Sequence, residues 1–337
     1  MTDTLFQAPL YRAPDGERDA ALLAALRDLT NHHLTACPDY RRIVAVAHPG
    51  WEQATRLDQL PFLPVGLFKQ DPLSSIDPAT ITGWVTSSGT TGNPARLPLD
   101  AAASRAQARA LAAQLMEVFG PARLPMILLA DRAAVSGATL SAGAAAVLGV
   151  MRSGFDHLFL LDADGQVDRP GLDAFLERHG DGPFALFGFT FQVWQALERL
   201  RGKDFTRGIL LHGGGWKKLM EQAVSAEVFR QALQDATGLT RVVDYYGMAE
   251  QIGTLHLETA PGLFRPPAFA RVIARDPVTL APLPHGAAGV LQLFSLLPRS
   301  YPGHSLLTED LGVTDPSGFR VLGRVPKSVA RGCSDAA

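Results

Sequence analysis

The sequence predicts an α/β fold in which a mostly parallel sheet is flanked by helices, followed by a β-rich C-terminal subdomain. From residue 125 to residue 246, short apolar runs alternate with helical patterns. Such an order favours parallel strands that are buried on both faces. Beyond residue 260 proline and glycine become frequent, the apolar runs shorten, and no long helical pattern remains. This change in composition and apolar pattern predicts the β-rich C-terminal subdomain.

The N-terminal part is predicted to be helical. Apolar residues recur at intervals of three and four over 17–35, which indicates an amphipathic helix, and helix and loop continue over 40–58. A proline-punctuated apolar stretch over 60–69 cannot form the interior of a helix, and it leads into a loop rich in serine, threonine and glycine. Asp100 is then placed to cap an alanine-rich helix over 101–118.

The remaining elements follow the same two patterns. In the α/β part the predicted strands cover 125–130, 155–161, 184–189, 209–212 and 241–246, and the predicted helices cover 137–149, 170–179, 190–200 and 225–237. In the β-rich part the apolar runs cover 269–274, 289–297, 305–313 and 318–322. We divide the chain accordingly into an N-terminal helical segment over 1–60, an α/β core over 61–260, a β-rich subdomain over 261–324 and a short tail over 325–337.

The composition narrows the class of protein. With 337 residues, 47% of them apolar and 19% charged, the chain is long enough for a large core and two lobes. A net charge of −2 argues against nucleic acid or an anionic membrane as the main partner. No apolar run reaches the ~18 residues that a membrane helix needs, and the first residues lack a signal-peptide pattern. Two cysteines, Cys37 and Cys333, form neither a disulfide framework nor a zinc site, which indicates the cytoplasm.

The most distinctive stretch is the loop over 86–94, where hydroxyl residues and glycines alternate directly after the apolar run 81–85. Glycine lets the backbone approach a ligand, and hydroxyls with free N–H groups can surround phosphate oxygens. The loop is not a Walker A motif, because Ala95 and Arg96 follow Pro94 where that motif requires its lysine. It therefore suits a nucleotide that is attacked at its α-phosphate, and a plain polar turn is the alternative.

Three further glycine-containing loops each follow a predicted strand, at 188–190, 212–217 and 246–250. Ligands of parallel sheets bind at the carboxyl ends of the strands, so these loops are expected to converge on one crevice. For any single loop, an ordinary turn after a strand is the simpler interpretation. The occurrence of all three favours a binding site.

The motifs together resemble the adenylate-forming superfamily. The resemblance rests on Ser-Ser-Gly-Thr-Thr-Gly-Asn-Pro over 87–94, Tyr-Gly-Met-Ala-Glu over 246–250, Thr-Glu-Asp over 308–310 and Gly-Arg over 323–324, in that order. Within the superfamily the chain looks most like LuxE-type acyl-protein synthetases, because of Pro-Val-Gly-Leu-Phe-Lys over 64–69, Phe-Gly-Phe-Thr-Phe over 187–191 and Gly-Gly-Gly-Trp-Lys over 213–217. The likeness covers roughly residues 60–335 and implies the large-domain fold of that superfamily for the core.

The resemblance implies that ATP and Mg²⁺ are used, and it assigns roles to particular residues. The phosphate loop would hold the ATP phosphates through Ser87, Ser88, Gly89, Thr90, Thr91 and Gly92. Thr90 would act in catalysis, and Arg96 would supply the charge of the lysine that this loop usually has. Glu250 would bind Mg²⁺, which prefers one or two carboxylates together with phosphate oxygens. A solvated loop glutamate is the alternative for Glu250.

Other residues would hold the nucleoside. Tyr246 and Gly247 would lie along the adenine, with room for the flat ring provided by Gly213, Gly214 and Gly215. Asp310 would accept hydrogen bonds from the ribose hydroxyls, and a turn-forming aspartate is the alternative. Arg324 would bond the ribose or a phosphate, and a surface arginine is the alternative.

The C-terminal tail departs from larger adenylating enzymes, which continue past the Gly-Arg hinge into a mobile domain with a catalytic lysine. The sequence ends at Ala337, so the full mobile domain is expected to be absent. In LuxE-type enzymes a cysteine near the C-terminus takes the acyl group, and Cys333, with Arg331 to favour its thiolate, fits that role. An incidental tail cysteine is the alternative, and Cys37 is expected to be a small apolar filler.

The sequence therefore predicts an ATP-dependent ligase that activates a carboxylic acid, fatty or aromatic, as acyl-AMP and transfers the acyl group to a thiol. The acceptor would be Cys333 and then a partner reductase, an acyl-carrier protein or coenzyme A. Alternatives are a phenylacetate-type CoA ligase, a carrier-loading acyl-AMP ligase and, in another class, an inactive nucleotide-binding subunit.

Overall fold

The computed structural model describes residues 2–12, 16–70, 72–87, 94–135 and 140–325. Residues 88–93 of the phosphate loop and Cys333 therefore lie outside the described residues. The chain forms two compact units. The first comprises Met1–Gln107, Met248–Thr254 and Gly262–Ala337, and the second Ala108–Gly247 and Leu255–Pro261. The segment boundaries at 60, 260 and 324 stay predictions.

The described helices and strands are numbered in chain order. The helices are α1 (Gly16–Ala36), α2 (Pro38–Ala47), α3 (Ala101–Phe119), α4 (Ala142–Met151), α5 (Arg169–His179), α6 (Thr190–Leu200) and α7 (Ala226–Thr237). The strands are β1 (Leu63–Pro64), β2 (Gly83–Thr86), β3 (Arg96–Leu99), β4 (Leu124–Asp131), β5 (Leu140–Ser141), β6 (Gly154–Leu161), β7 (Phe184–Phe189), β8 (Gly208–Gly213), β9 (Arg241–Tyr246), β10 (His256–Ala260), β11 (Leu263–Arg265), β12 (Ala270–Arg275), β13 (Ala288–Ser295), β14 (Ser305–Asp315) and β15 (Gly318–Arg324). Short 3₁₀ turns connect several of them.

The second unit contains the predicted parallel sheet. Its strands lie in the order β10-β9-β8-β7-β4-β6. The neighbouring pairs β9–β8, β8–β7, β7–β4 and β4–β6 are parallel, and β10 runs antiparallel to β9. The core consists of apolar side chains from these strands and their helices, including Ile127, Leu186, Leu210, Phe229 and Leu233. The predicted α/β class is confirmed.

Local sequence signals explain the helices that follow these strands. Helix α6 buries Val193, Ala196, Leu197 and Leu200, whose spacing of three and four places them on one face. Helix α7 begins after Ser225, whose hydroxyl accepts the N–H of Val228, and it ends at Gly238, which has a φ of 75°.

Helix α4 begins later than the predicted 137–149. The hydroxyl of Ser141 accepts the N–H of Ala144 at 3.1 Å and caps the helix, so Leu140 and Ser141 are extended and the helix begins at Ala142. A run of small residues has weak periodicity, so the start of this helix could not be located from its apolar pattern.

The first unit contains the predicted β-rich part. Strands β12 to β15 form an antiparallel sheet that β11 extends, and β1 adds to it in parallel through the pairing of Leu63 with Leu306. The predicted helix over 17–35 is α1, which buries Leu22, Leu26 and Leu29. The cap predicted at Asp100 is present, since its carboxylate accepts the N–H of Ala103 at 2.6 Å.

Helix α1 also buries polar side chains in this unit. The Oγ1 of Thr30 lies 2.9 Å from Nε2 of His304, and the ring of His304 stacks on that of His33 with centroids 4.8 Å apart. His33 in turn bonds the hydroxyl of Ser75 and the carbonyl of Pro298. We refer to His33 and His304 as the buried histidine pair. Across the described residues of both units, no helix combines the length and the apolar character that crossing a membrane requires.

Candidate active site

A β-hairpin in the first unit holds the base of the phosphate loop. Strands β2 and β3 pair in antiparallel register, with Thr86 opposite Arg96. The hydroxyl of Ser87 accepts the N–H of Ala95 at 2.9 Å, and the Ser87 N–H donates to the Ala95 carbonyl at 3.1 Å. The guanidinium of Arg96 lies 4.9 Å from the ring centroid of Trp84 and is solvent-exposed. Ser88, Gly89, Thr90, Thr91 and Gly92 lie outside the described residues, so their roles stay predictions.

Glu250 lies on a short helical turn, Ala249–Gln251, and is only 5% exposed. The side-chain amide of Gln251 anchors this turn by donating to the carbonyls of Leu293 and Gly303, at 3.2 and 2.9 Å. A Cβ at Gly303 would lie 2.7 Å from the Glu250 carbonyl oxygen, so only glycine allows the two backbones to approach this closely. Gln251 and Gly303 therefore hold the turn that keeps the Glu250 side chain largely buried.

Four charged side chains of the same unit accompany Glu250. Lys69 lies with its Nζ 3.7 Å from Oε1 of Glu309. Arg324 lies with Nη1 3.9 Å from Oε2 of Glu309 and with Nε 3.6 Å from Oδ1 of Asp310. Asp310 and Arg324 face each other across β14 and β15. We call these five residues the carboxylate cluster.

Burial and the neighbouring charges of the cluster shift the pKa of Glu250. Burial is the largest effect and holds the pKa of Glu250 above its ordinary value. The negative charge of Glu309 acts in the same direction, and the positive charges of Lys69 and Arg324 partly offset it. In the described part of the chain, the two cations form their ion pairs with Glu309 and Asp310 and none with Glu250. A buried carboxylate without a direct counter-ion is costly, and a bound hard cation would offset that cost. Glu250 therefore fits the Mg²⁺ role.

The described residues hold no group of three or more His, Cys, Asp or Glu side chains arranged to bind a metal ion by themselves.

The second unit holds the residues predicted to contact adenine. A Cβ at Gly213 would lie 2.6 Å from the Tyr245 carbonyl oxygen, so the packing of β8 against β9 alone requires glycine there. Gly214 and Gly215 have φ values of 76° and 64° and are exposed. Tyr246 ends β9, where it pairs with His256 of β10, and Gly247 follows it in an exposed position.

Sequence reasoning missed Lys69 and Glu309 as members of the site. Lys69 is the only charged residue in the apolar stretch 60–69, and Glu309 stands inside the Thr-Glu-Asp motif. An isolated charge at the end of an apolar stretch was the available signal. Its partner could not be identified, because the contact joins residues far apart in the sequence.

A family model described as "Acyl-protein synthetase, LuxE" matches residues 2–337. The chain belongs to this family. The resemblance drawn from the motifs is confirmed, and with it the predicted class of enzyme, an adenylate-forming acid–thiol ligase. The family match does not favour the CoA-ligase, carrier-loading or inactive-subunit alternatives.

Curated relatives of this LuxE-family chain carry the name long-chain-fatty-acid–luciferin-component ligase. The protein from Aliivibrio fischeri is 22% identical over 86% of this chain and 78% of its own length. The protein from Vibrio harveyi is 30% identical over 40% of this chain, and the matched part is 39% of that relative. The match to a protein from Photorhabdus luminescens, at 32% identity, covers 30% of this chain.

Solved structures show the same fold. A 2-hydroxyisobutyryl-CoA ligase, in complex with 2-HIB-AMP and CoA, matches with a TM-score of 0.69 at 20% identity, over 92% of this chain and 76% of that one. ATP-bound MatB from Rhodopseudomonas palustris matches with a TM-score of 0.53 at 17% identity, over 74% of this chain and 49% of that one. The large-domain adenylate-forming fold predicted from the motifs is confirmed.

Proposed function

We propose that this chain uses ATP to convert a carboxylic acid to an acyl adenylate and then transfers the acyl group to a thiol. The observation that supports this best is the carboxylate cluster. Glu250, Asp310 and Arg324 come from three separate motifs of the sequence, and in the first unit they belong to one electrostatically coupled group. An accidental set of surface charges would have no reason to include a carboxylate as buried as Glu250.

The first half-reaction is nucleophilic attack by a carboxylate oxygen of the acid on the α-phosphorus of ATP. The bond from that phosphorus to the bridging oxygen breaks, and pyrophosphate leaves. Residues Ser87 to Gly92 and Arg96 would hold the phosphates, and Thr90 would contact the reacting groups. Tyr246, Gly247 and Gly213–Gly215 would hold adenine, and Asp310 and Arg324 the ribose.

Glu250 would hold Mg²⁺, with Glu309 as the second carboxylate in its neighbourhood. When bound, the ion would neutralise phosphate charge during adenylation. Lys69 and Arg324 hold their positive charges next to the same carboxylates, so the cluster keeps balanced charge around Glu250.

In the second half-reaction the Cys333 thiolate would attack the acyl carbon, and AMP would leave. The acyl group would then pass to a partner reductase, an acyl-carrier protein or coenzyme A. Transfer through a free thiol requires reducing conditions, and this supports a cytoplasmic location.

Acid-dependent exchange of radiolabelled pyrophosphate into ATP tests the proposal. The purified chain, incubated with ATP, Mg²⁺ and a panel of carboxylic acids, should catalyse exchange only when a suitable acid is present. Nucleotide binding without exchange for any acid in the panel would support the inactive nucleotide-binding subunit instead.

A further inference from the structure

The loop predicted to hold adenine begins at the end of strand β8, inside the second unit. Gly213 is the last residue of β8, and in the sheet it lies between Phe189 of β7 and Tyr245 of β9. Gly214 and Gly215 follow it with φ values of 76° and 64°, in the left-handed region that favours glycine. Glycine also loses the most conformational freedom on folding, so a loop of three glycines needs a contact that fixes its first peptide.

The side chain of Thr190 supplies this contact. Its hydroxyl donates to the Gly213 carbonyl at 3.1 Å, in the peptide that joins β8 to the loop. Thr190 is the first residue of helix α6, yet its hydroxyl bonds the neighbouring strand and not its own helix. Only 6% of Thr190 is exposed, so the bond is largely shielded from water.

A buried histidine holds the Thr190 hydroxyl in turn. Nδ1 of His212 lies 3.0 Å from the hydroxyl oxygen. Oδ1 of Asp244 lies 3.6 Å from the same nitrogen, which is too far for a hydrogen bond. Burial, and then the positive charge of Arg230, lower the pKa of His212 to about 3, so its imidazole is neutral and carries one ring N–H.

The contacts of Thr190 determine which nitrogen of His212 carries that proton. A carbonyl oxygen only accepts hydrogen bonds, so the single hydroxyl proton of Thr190 is donated to Gly213. The hydroxyl oxygen then accepts, and Nδ1–H of His212 is its donor. With the proton on Nε2 instead, Nδ1 and the Gly213 carbonyl would compete for one hydroxyl proton, and one of the two bonds would be lost. We call His212, Thr190 and Gly213 the hydrogen-bond chain.

Resting on the proposed function, we infer that Thr190 is a positioning residue for adenine: held by His212, it fixes the peptide after Gly213 so that the loop selects the base. Thr190 acts through the backbone of the loop and does not itself touch the nucleotide. Adenine carries an amino group where guanine carries a carbonyl oxygen, so backbone donors and acceptors in fixed positions favour one base over the other. A loop whose first peptide is free to rotate can adapt to both bases.

The test measures base selectivity as the ratio of kcat/KM for ATP to that for GTP, in acid-dependent pyrophosphate exchange. Both nucleotides are measured on the same protein sample, so the fraction of folded protein cancels from the ratio. The parent protein should prefer ATP. Thr190→Val keeps the shape of the side chain and removes the hydroxyl, so the ratio should fall by about tenfold or more. The fall should come from a higher KM for ATP, with kcat within about twofold of the parent's.

Three further variants test the hydrogen-bond chain. Thr190→Ser keeps the hydroxyl and should keep the ratio within about twofold of the parent's. His212→Asn places an amide N–H near the position of Nδ1 and should keep most of the selectivity. His212→Leu has no donor and should lower the ratio in the same direction as Thr190→Val. If the Thr190→Val protein does not fold, the ratio for His212→Leu decides.

Thr237→Val is the matched control. Thr237 is another buried threonine of the second unit, and its hydroxyl donates to the Leu233 carbonyl at 2.7 Å at the end of helix α7. The loss of this hydroxyl should lower the Tm, as the loss of the Thr190 hydroxyl does. It should leave the ratio for ATP and GTP unchanged, because Thr237 does not bond the glycine loop.

The outcomes separate the inference from the proposed function. A Thr190→Val protein with the parent's ratio, or a Thr237→Val protein with the same fall in the ratio, would overturn the inference and leave the adenylation proposal intact. A parent protein that uses ATP and GTP equally well would do the same. Absence of exchange with ATP for every acid would overturn the proposed function and this inference together.

Discussion

Lys69 and Glu309 form an ion pair between a short 3₁₀ helix near the N-terminal end and the long strand β14, with 3.7 Å between Nζ and Oε1. The side chains are 30% and 48% exposed, so the pair contributes at most ~1 kcal/mol to stability. The pair matters for the candidate site because the charges of both side chains act on the buried Glu250. Lys69 is therefore a fixed positive charge beside the predicted metal site.

Lys69→Met should lower the rate of acid-dependent pyrophosphate exchange by about ten- to a hundredfold, because a fixed positive charge beside the predicted metal site is lost. Lys69→Arg should recover much of the rate, since the positive charge remains. Thermal denaturation should give both variants a Tm close to that of the parent protein, because the exposed ion pair contributes little to stability. Lys203→Met is the matched control, since Lys203 also pairs with a carboxylate, Asp173, on the surface. Equal rates for Lys69→Met and Lys203→Met would exclude a role for Lys69.

Glu250→Gln should reduce exchange by about a hundredfold or more, because the carboxylate predicted to bind Mg²⁺ would contribute several kcal/mol of charge stabilisation to the transition state. The Tm should stay the same or rise, since burial raises the pKa of Glu250 and glutamine removes the cost of the buried charge. Glu221→Gln, at an exposed position, serves as the control. A Glu250→Gln protein with the parent's exchange rate would remove this residue from the metal site.

Cys333→Ser should separate the two half-reactions. Position 333 lies nine residues beyond Arg324, and a chain of that length spans up to about 30 Å, which is long enough for the thiol to reach an adenylate held next to Arg324. Pyrophosphate exchange should persist, because the adenylate forms before the thiol acts. The hydroxylamine-labile acyl group on the protein, measured by intact-protein mass spectrometry, should disappear. Persistence of the same label in the variant would show that another group of the protein carries the acyl, and Cys333 would then be a tail residue without this role.

The buried histidine pair should make the protein sensitive to acid. Burial, and then the neighbouring His32, lower the pKa of His304 to about 3, and burial and His304 lower that of His33. The unfolded chain, with an ordinary histidine pKa near 6.5, then binds more protons than the folded one. The free energy of unfolding should fall between pH 6.5 and pH 3 by up to about 1.4 kcal/mol per pH unit for each such histidine.

Urea denaturation at several pH values measures this slope. In a His304→Asn variant, the change in the free energy of unfolding per pH unit should be smaller by the contribution of one histidine. The variant itself should be less stable than the parent protein. A parent slope that His304→Asn leaves unchanged would show that His304 is not responsible.

Most of the α/β part could be predicted from sequence because its strands are continuous apolar runs. The predicted strand 184–189 and helix 190–200 have the bounds found in the structure. The hairpin of β2 and β3 escaped prediction, since its strands are four residues long and one contains Pro98. Strands β10 and β11 were missed for a similar reason, being short and without a clear alternation of apolar residues.

The candidate site was predictable in its motifs and not in its contacts. Glu250, Asp310 and Arg324 were predicted because the motifs that contain them resemble those of the adenylate-forming superfamily. The Lys69–Glu309 pair leaves none, since it depends on how distant segments pack. The family resemblance implies that Gly213 makes room for adenine, and the structure adds a packing reason for this glycine, the close approach of Tyr245.

The first unit combines segments that are far apart in the chain, and this affects how it folds during synthesis. Strand β1 is one of the first strands of the chain, yet its partner β14 begins at Ser305. A growing chain on the ribosome therefore carries Leu63 without its partner until synthesis is almost finished. The second unit, mostly one uninterrupted segment from Ala108 to Gly247, has its parallel strands available much earlier. Because chains emerge at about 5–20 residues per second, the N-terminal segment would wait for some tens of seconds or less, exposed to chaperones.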